Sequence, residues 1–431
     1  MGRPRKASGQ TAGSAKKIQV LEGCFDVISE TDGLWDIVLK KVQRYSRVYG
    51  FQHFESPLIE DPELYKSFYR QDESALAKLL TIDMGGRPVA LRPHLLPSVL
   101  RAYNQSKVFE LSPVNKWAYR GQTSYKNLNG DIISDFEFGF EIFGSFNHLS
   151  EAQVVGAVWE MLQSLGLKDI TLEINSIGQD ECQVAYQSTL HGYLSAKKYE
   201  LCDSCNDHLR GRVLNVFRCN NLDCQAVLSE APTILDFLDQ ESHKHFMNIL
   251  EALDELRIPY QLNPFHAGPD GYSQTNLVIK YKHKDQVYIL GEGGYHSKLM
   301  ESVTGKNWCC FGFWGSLLNI RKLVEMEKVN ISREGKNDVY LVPLGELAAK
   351  KSLRLFRDLT TEKVSVYDHF GNAGVKNQLK QAQTSNAPIA LIMGQKEAVD
   401  EMVILRDVKS GMQEIISYDK IVEEVKKRLG R

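Results

Sequence analysis

The stretch Ser112–Gly144, SPVNKWAYRGQTSYKNLNGDIISDFEFGFEIFG, limits the possible folds more than any other part of the chain. Trp117 and Tyr119 precede a polar loop at Gln122–Gly130, and Phe136, Phe138, Phe140 and Ile142 alternate after it. Successive side chains on a strand point to opposite faces, so the pattern predicts two antiparallel strands with Phe136, Phe138 and Phe140 on one face. Glu137, Gly139 and Glu141 then share the other face. Two carboxylates flanking a glycine suit a ligand floor, whereas a bare sheet edge is guarded by lysine. An amphipathic hairpin with a solvated acidic face is the competing account.

Further segments narrow the choice: LRPHLLPSVLRAY at Leu91–Tyr103, LEINSIG at Leu172–Gly178, the turn into LNP at Leu262–Pro264, and Gly50-Phe51 leading to Pro57. In this order they resemble histidyl-tRNA synthetase, a class II aminoacyl-tRNA synthetase, from about Val20 to the C-terminus. The resemblance implies an α/β fold: an antiparallel class II sheet core with helices, a helical cysteine-bearing insertion, and a C-terminal α/β anticodon-binding-like domain. It implies tRNA as partner, a homodimer formed around Glu22–Pro57, and Mg-ATP if the chain is active. The substrate and ATP pocket falls on Arg92, Gln122, Glu137, Glu141, Tyr272 and Tyr295, with Glu141 matching the glutamate that faces the histidine imidazole.

The departures from the family fall on its arginines. Adenylation gathers negative charge around the ATP phosphates, and catalysis there is mostly positioning and electrostatic stabilisation. Aligning the family's Arg-Pro-Gln with Arg120-Gly121-Gln122 puts Trp117 and Tyr119 where its Arg-x-Glu belongs. In GFWGSLLNI, Asn319 stands at the arginine that ends the third class motif, and Arg321 lies about 200° further round a helix. Gly268 takes the place of a third arginine, and GEGGYHS keeps Tyr295 without the family's Arg and Asp. LRP continues into His94-Leu95-Leu96 instead of Glu-Gly-Thr. Arg120 is the candidate for a relocated catalytic arginine. Three functions follow: a tRNA-binding relative with weak or absent histidine adenylation, a working histidine–tRNA ligase with relocated arginines, or a synthetase-derived regulatory subunit of ATP phosphoribosyltransferase. Such subunits typically lack the C-terminal domain found here.

Of eight cysteines, four form a pattern, Cys202-x2-Cys205 and Cys219-x4-Cys224. Paired thiols at this spacing fit a tetrahedral structural zinc site; the alternative is four scattered thiols. At 431 residues with 43% hydrophobic and 25% charged residues the composition is globular, and a net charge of −2 leaves any RNA contact to local patches. No window approaches the ~18 apolar residues of a membrane span, and no apolar signal core opens the chain, so a cytoplasmic protein is expected. The expected organisation is a disordered basic arm (1–18), a catalytic-like core in two parts (19–179 and 263–326), the cysteine-bearing insertion (180–262), a linker (327–337) and an anticodon-binding-like domain (338–431). In that last domain Lys376 and Lys380 share a helix face within reach of a phosphate backbone, unless the face is simply solvated.

Overall fold

The first of two units, Met1–Ile331, carries two sheets built on alternation of apolar and polar residues. Its strands are β1 (Gln52–Phe54), the short β2 (Ile59–Glu60), β3 (Leu80–Asp83), β4 (Pro88–Leu91), β5 (Asn115–Lys126), β6 (Ile132–Phe143), β7 (Ile170–Ser176), β8 (Tyr260–Leu262), β9 (Ser273–His283), β10 (Gln286–Tyr295) and β11 (Cys310–Ser316). Eight of these form the main sheet in the order β1-β5-β6-β11-β10-β9-β7-β8, and β2-β4-β3 form a small one. Pairing in the main sheet is antiparallel except at its two ends, β1 with β5 and β7 with β8. The computed structural model describes residues 18–28, 33–70, 72–127, 129–266, 268–329, 338–368, 375–384 and 387–431. The expected basic arm, except Ile18, and residues 330–337 of the expected linker lie outside the described residues.

Phe138, Phe140 and Ile142 of β6 are fully buried against the helices Gly33–Val48, His148–Ser164, Gln240–Glu255 and Leu317–Met326. The Gly33–Val48 helix buries Trp35, Val38 and Val42, and Gly50 follows it at φ +76°, a left-handed turn that glycine adopts without strain. β5 runs further than the sequence pattern indicates. Thr123 and Tyr125 continue the pairing opposite Asp135 and Ile133, so the hairpin loop is shorter than the expected Gln122–Gly130. The opposite sheet face meets the helix Leu96–Ser106 and the insertion helices Asp180–Ala196, Asp203–Arg210 and Leu222–Ser229. Gln240–Glu255, expected within the insertion, instead lies against the core helices through Phe246, Ile249 and Leu253.

The second unit, Ser332–Arg431, has its own sheet of β12 (Val339–Pro343), β13 (Val366–Asp368), β14 (Ile389–Met393), β15 (Met402–Asp407) and β16 (Gln413–Ser417), ordered β13-β12-β14-β15-β16. β12 is parallel to both neighbours, and β14-β15-β16 is an antiparallel meander. The fully buried runs VYLVP and IALIM are the two central strands, apolar throughout because both faces are covered. The helix Glu346–Thr361 buries Ala348, Ser352, Leu355 and Leu359 at helical spacing.

Candidate functional site

The floor predicted from β6 exists, and register extends it over four strands. Tyr119 pairs with Gly139, Gly139 with Trp314, and Trp314 with Glu292; one step along, Trp117 pairs with Glu141, Glu141 with Gly312, and Gly312 with Gly294. Gly139 and Gly312 are bare positions over which neighbouring side chains lie. A Cβ on Gly139 would overlap the Tyr119 ring, and one on Gly312 would overlap the Glu141 carboxylate. The glycines that would give a ligand room are therefore covered by the chain itself.

Glu141 is fully buried. Its Oε1 accepts a hydrogen bond of 3.1 Å from the Tyr119 hydroxyl, and its Oε2 lies 3.0 Å from His296 Nε2, an ion-pair contact off the line of a straight hydrogen bond. His296 Nδ1 is 2.9 Å from the Gly294 carbonyl, to which it must donate because a carbonyl only accepts. With Nδ1 carrying a proton, Nε2 faces a carboxylate favourably only if it is protonated too. Burial alone would lower the pKa of His296, but Cys310 and Glu141 beside the ring hold it well above the ordinary value. Burial, reinforced by Glu141, likewise raises Tyr119 far above a normal phenol. The Tyr272 ring lies 5.5 Å from the His296 ring and completes the enclosure.

Beside this closed cluster is a cavity of about 370 Å³ whose lining includes Tyr69, Lys78, His94, Tyr125, Asp135, Glu137, Arg212, Tyr272, Glu292 and Trp314. Glu137 is buried and its Oε2 accepts from the Leu95 N–H and lies 2.9 Å from His94 Nδ1. His94 in turn meets Trp314 edge-on at 4.5 Å. Burial raises the pKa of Asp135, although the Phe136 N–H and the Ser316 hydroxyl (2.9 Å) donate to it. Asp72, Asp135, Glu137, Asp270 and Glu292 line the cavity against Lys78 and Arg212, and Arg212 is paired with Asp270 at 2.6 Å. The balance of fixed charge in the cavity is negative.

The sequence-derived positions separate into two groups. Glu137, Glu141 and Tyr272 converge on the floor. Arg120 and Gln122 pair with Phe138 and Phe136 and so point to the opposite face; Arg120 lines a separate depression with Val42 and Phe51. Tyr295 also faces away, buried against Phe311 and Phe146. Arg92 is buried on the floor face, its guanidinium lying over Gly121 beside Glu137 and donating to Gln122 O, Ser56 O and Oγ, and Pro57 O. Trp117 stacks on Phe54 at 5.0 Å, and Arg321 pairs with Glu325. His296 and Arg212 were not expected in the site. Parity along β10 would have flagged His296, which lies in phase with Glu292 and Gly294.

In the insertion, Cys202, Cys205, Cys219 and Cys224 bring all four sulfurs within 4.8 Å of one another. The Cys202–Cys219 sulfur separation of 3.8 Å is the edge of a tetrahedron with metal–sulfur distances of about 2.3 Å. The Cys202 N–H points to Cys224 Sγ at 3.1 Å and the Asn221 N–H to Cys219 Sγ at 3.4 Å. The Cys205 N–H with the Cys224 thiol draws Cys202 down to about 7, whereas burial pushes the Cys205 and Cys224 thiols up. In the second unit, Lys376 and Lys380 are both exposed on the helix Val375–Thr384. Among the described residues no helix is long and apolar enough to cross a membrane.

Comparison with known proteins agrees with this architecture. A family model described as histidyl-tRNA synthetase matches residues 26–317, and one described as an anticodon binding domain matches residues 338–428. A histidine–tRNA ligase of Caldicellulosiruptor bescii is 28% identical over 419 residues, covering 96% of this chain and 99% of its own. One from Dehalococcoides mccartyi is also 28% identical, over 94% of this chain and 99% of its own. Among solved structures, apo histidyl-tRNA synthetase of S. aureus superimposes with a TM-score of 0.78 at 24% identity, covering 95% of this chain and all of its own. A protein of Bacillus halodurans titled ATP phosphoribosyltransferase regulatory subunit/histidyl-tRNA synthetase gives 0.63 at 16% identity, covering 89% of this chain and all of its own.

Proposed function

The chain belongs to the histidyl-tRNA synthetase family, and from that premise we propose that it is a tRNA-binding relative in which histidine adenylation is weak or absent. The observation that carries this reading is the floor itself, on which the chain's own Tyr119 and Glu141 lie over Gly139 and Gly312, His296 meets Glu141, and no arginine is paired with any of the three among the described residues. Adenylation needs fixed cations on the α- and γ-phosphates, and a lost donor of this kind typically costs about 3 kcal/mol of transition-state stabilisation. Trp117, Asn319 and Gly268 stand at three such positions. Magnesium, if bound with ATP, supplies charge neutralisation at the phosphates. The carboxylates lining the cavity, Asp135, Glu137 and Glu292, could hold such an ion but repel the nucleotide. What the chain's own groups do is bind and enclose: Glu137 fixes the Leu95 backbone, and Glu141 holds an imidazole.

The remaining parts of the reading rest on other observations. The four convergent thiols suit a structural zinc ion that staples the insertion. The second unit, with its exposed Lys376 and Lys380, supports tRNA binding by phosphate contacts. A homodimer built around Glu22–Pro57 and a cytoplasmic setting follow the family. A working histidine–tRNA ligase is the second reading, favoured by the relatives bearing that name and by the retained Glu141. The test is histidine-dependent ATP–pyrophosphate exchange on wild type and Arg120→Ala, with tRNA charging and binding alongside. We expect no exchange with intact tRNA binding; robust exchange overturns the reading, and its loss in Arg120→Ala would give that residue a catalytic role despite its orientation.

A further inference from the structure

The closed cluster at Glu141 has the makeup of an imidazole-binding site already holding its ligand. A carboxylate faces one ring nitrogen at 3.0 Å, a carbonyl oxygen accepts from the other at 2.9 Å, and a tyrosine ring lies alongside. Nδ1 is hydrogen-bonded and Nε2 has a carboxylate in ion-pair contact, the two kinds of partner an imidazolium takes. The ring's delivery is rigid. His296 lies between β10 and the helix Ser297–Thr304, with its N–H donating to the Cys310 carbonyl and its own carbonyl accepting from Leu299 and Met300. Glu141 and His296 are separated by nearly half of the first unit in sequence, and both are less than 2% exposed. Tyr272, the wall of this cluster, also lines the adjoining cavity, so an imidazole held at Glu141 would have room on that side for a substituent.

We propose that His296 is a built-in surrogate ligand: its imidazole fills the ring subsite at Glu141 and excludes free histidine. This deepens the proposed function and rests on reading that floor as the amino-acid site. Two consequences separate it from a pair that merely packs. The folded wild type takes up neither L-histidine nor imidazole at Glu141, whereas removal of the ring exposes a subsite that accepts free imidazole and, through the side of the cavity, histidine.

The experiment is calorimetry and thermal unfolding of the full chain with imidazole and with L-histidine, on wild type, His296→Gly, and His296→Gly combined with Glu141→Gln. Wild type is expected to show no binding at 10 mM of either probe. His296→Gly is expected to bind imidazole with a Kd on the order of 1 mM, within reach of so small a ligand, and to gain about 2 °C in Tm at ten times that concentration. The double variant should lose the response, and L-histidine should compete with imidazole in His296→Gly. If His296→Gly folds only when refolded with imidazole, the result has the same meaning. Indifference of a folded His296→Gly to imidazole, or L-histidine binding by wild type that Glu141→Gln abolishes, overturns the proposal. Should His296→Gly not fold under either condition, wild-type histidine binding decides. The two readings fail separately: histidine binding without exchange removes the surrogate and leaves the non-adenylating protein, while robust exchange removes both.

Discussion

The two polar clusters of the first unit solve the same problem in opposite ways. At Cys202, Cys205, Cys219 and Cys224 the buried groups share one sign of charge once ionised, converge within 4.8 Å, and draw only weak help from backbone N–H groups. At Glu141 the partners are complementary, and His296 and Tyr119 meet the carboxylate from within the chain. Ionised together, the four thiols would need a counter-charge from outside. In the second cluster, the charge of the carboxylate is met within the chain. Convergent side chains alone therefore do not indicate an open site; what matters is whether their charges and donors already balance.

The largest effect expected from this contrast is at the thiols. Zinc analysis of protein purified without chelator should give one ion per chain, and Cys205→Ser should destabilise the insertion by on the order of 5 kcal/mol, read as lost hydrogen-exchange protection over Asp180–Ser229. Zinc near zero, with unchanged protection after chelation, would place the two clusters in the same self-sufficient class.

At the closed cluster, Glu141→Ala leaves an imidazolium and a tyrosine hydroxyl buried without the carboxylate. Breaking a buried ion pair from one side costs about 3–5 kcal/mol, so the denaturation midpoint should fall while metal content stays constant. A cost under about 1 kcal/mol would mean that His296 is neutral and the cluster is held by packing alone.

The smallest effect is on pH dependence. The folded pKa of His296 is raised, so its contribution to stability is fully present below the unfolded value near 6.5 and is lost as pH rises through the folded value. From pH 6.5 up to the raised folded value, wild type should lose up to about 1.4 kcal/mol per pH unit relative to His296→Gln. Parallel curves for the two proteins would remove the charge from the pair.

Local patterning carried much of this architecture. The period-2 run through Phe136–Ile142 yields the hairpin and the correct face for Glu137 and Glu141, because each side chain's direction depends only on its own strand. The same parity, applied to Trp117-Ala118-Tyr119-Arg120, turns Arg120 away from the floor, and matching residue types to a family pattern passed over it. The thiol spacing was readable because each pair is local: Cys202 and Cys219 lie just ahead of the short helices that carry Cys205 and Cys224. Contacts such as Glu141 with His296, or Arg212 reaching Asp270 from the insertion, arise only when distant segments are brought into register, and no local period encodes them.

Tyr119 lying across Gly139 makes the floor an interlocked unit. A glutamate placed at position 119 would set a second carboxylate beside Glu141 and open a void over the glycine, while His296 would still fill its place. Removing His296 alone would strand Glu141 without its cation. Tyr119, Glu141 and His296 thus behave like the pieces of a keystone arch: a change at one disturbs the other two, whereas the cavity beside Glu137 lies outside that lock.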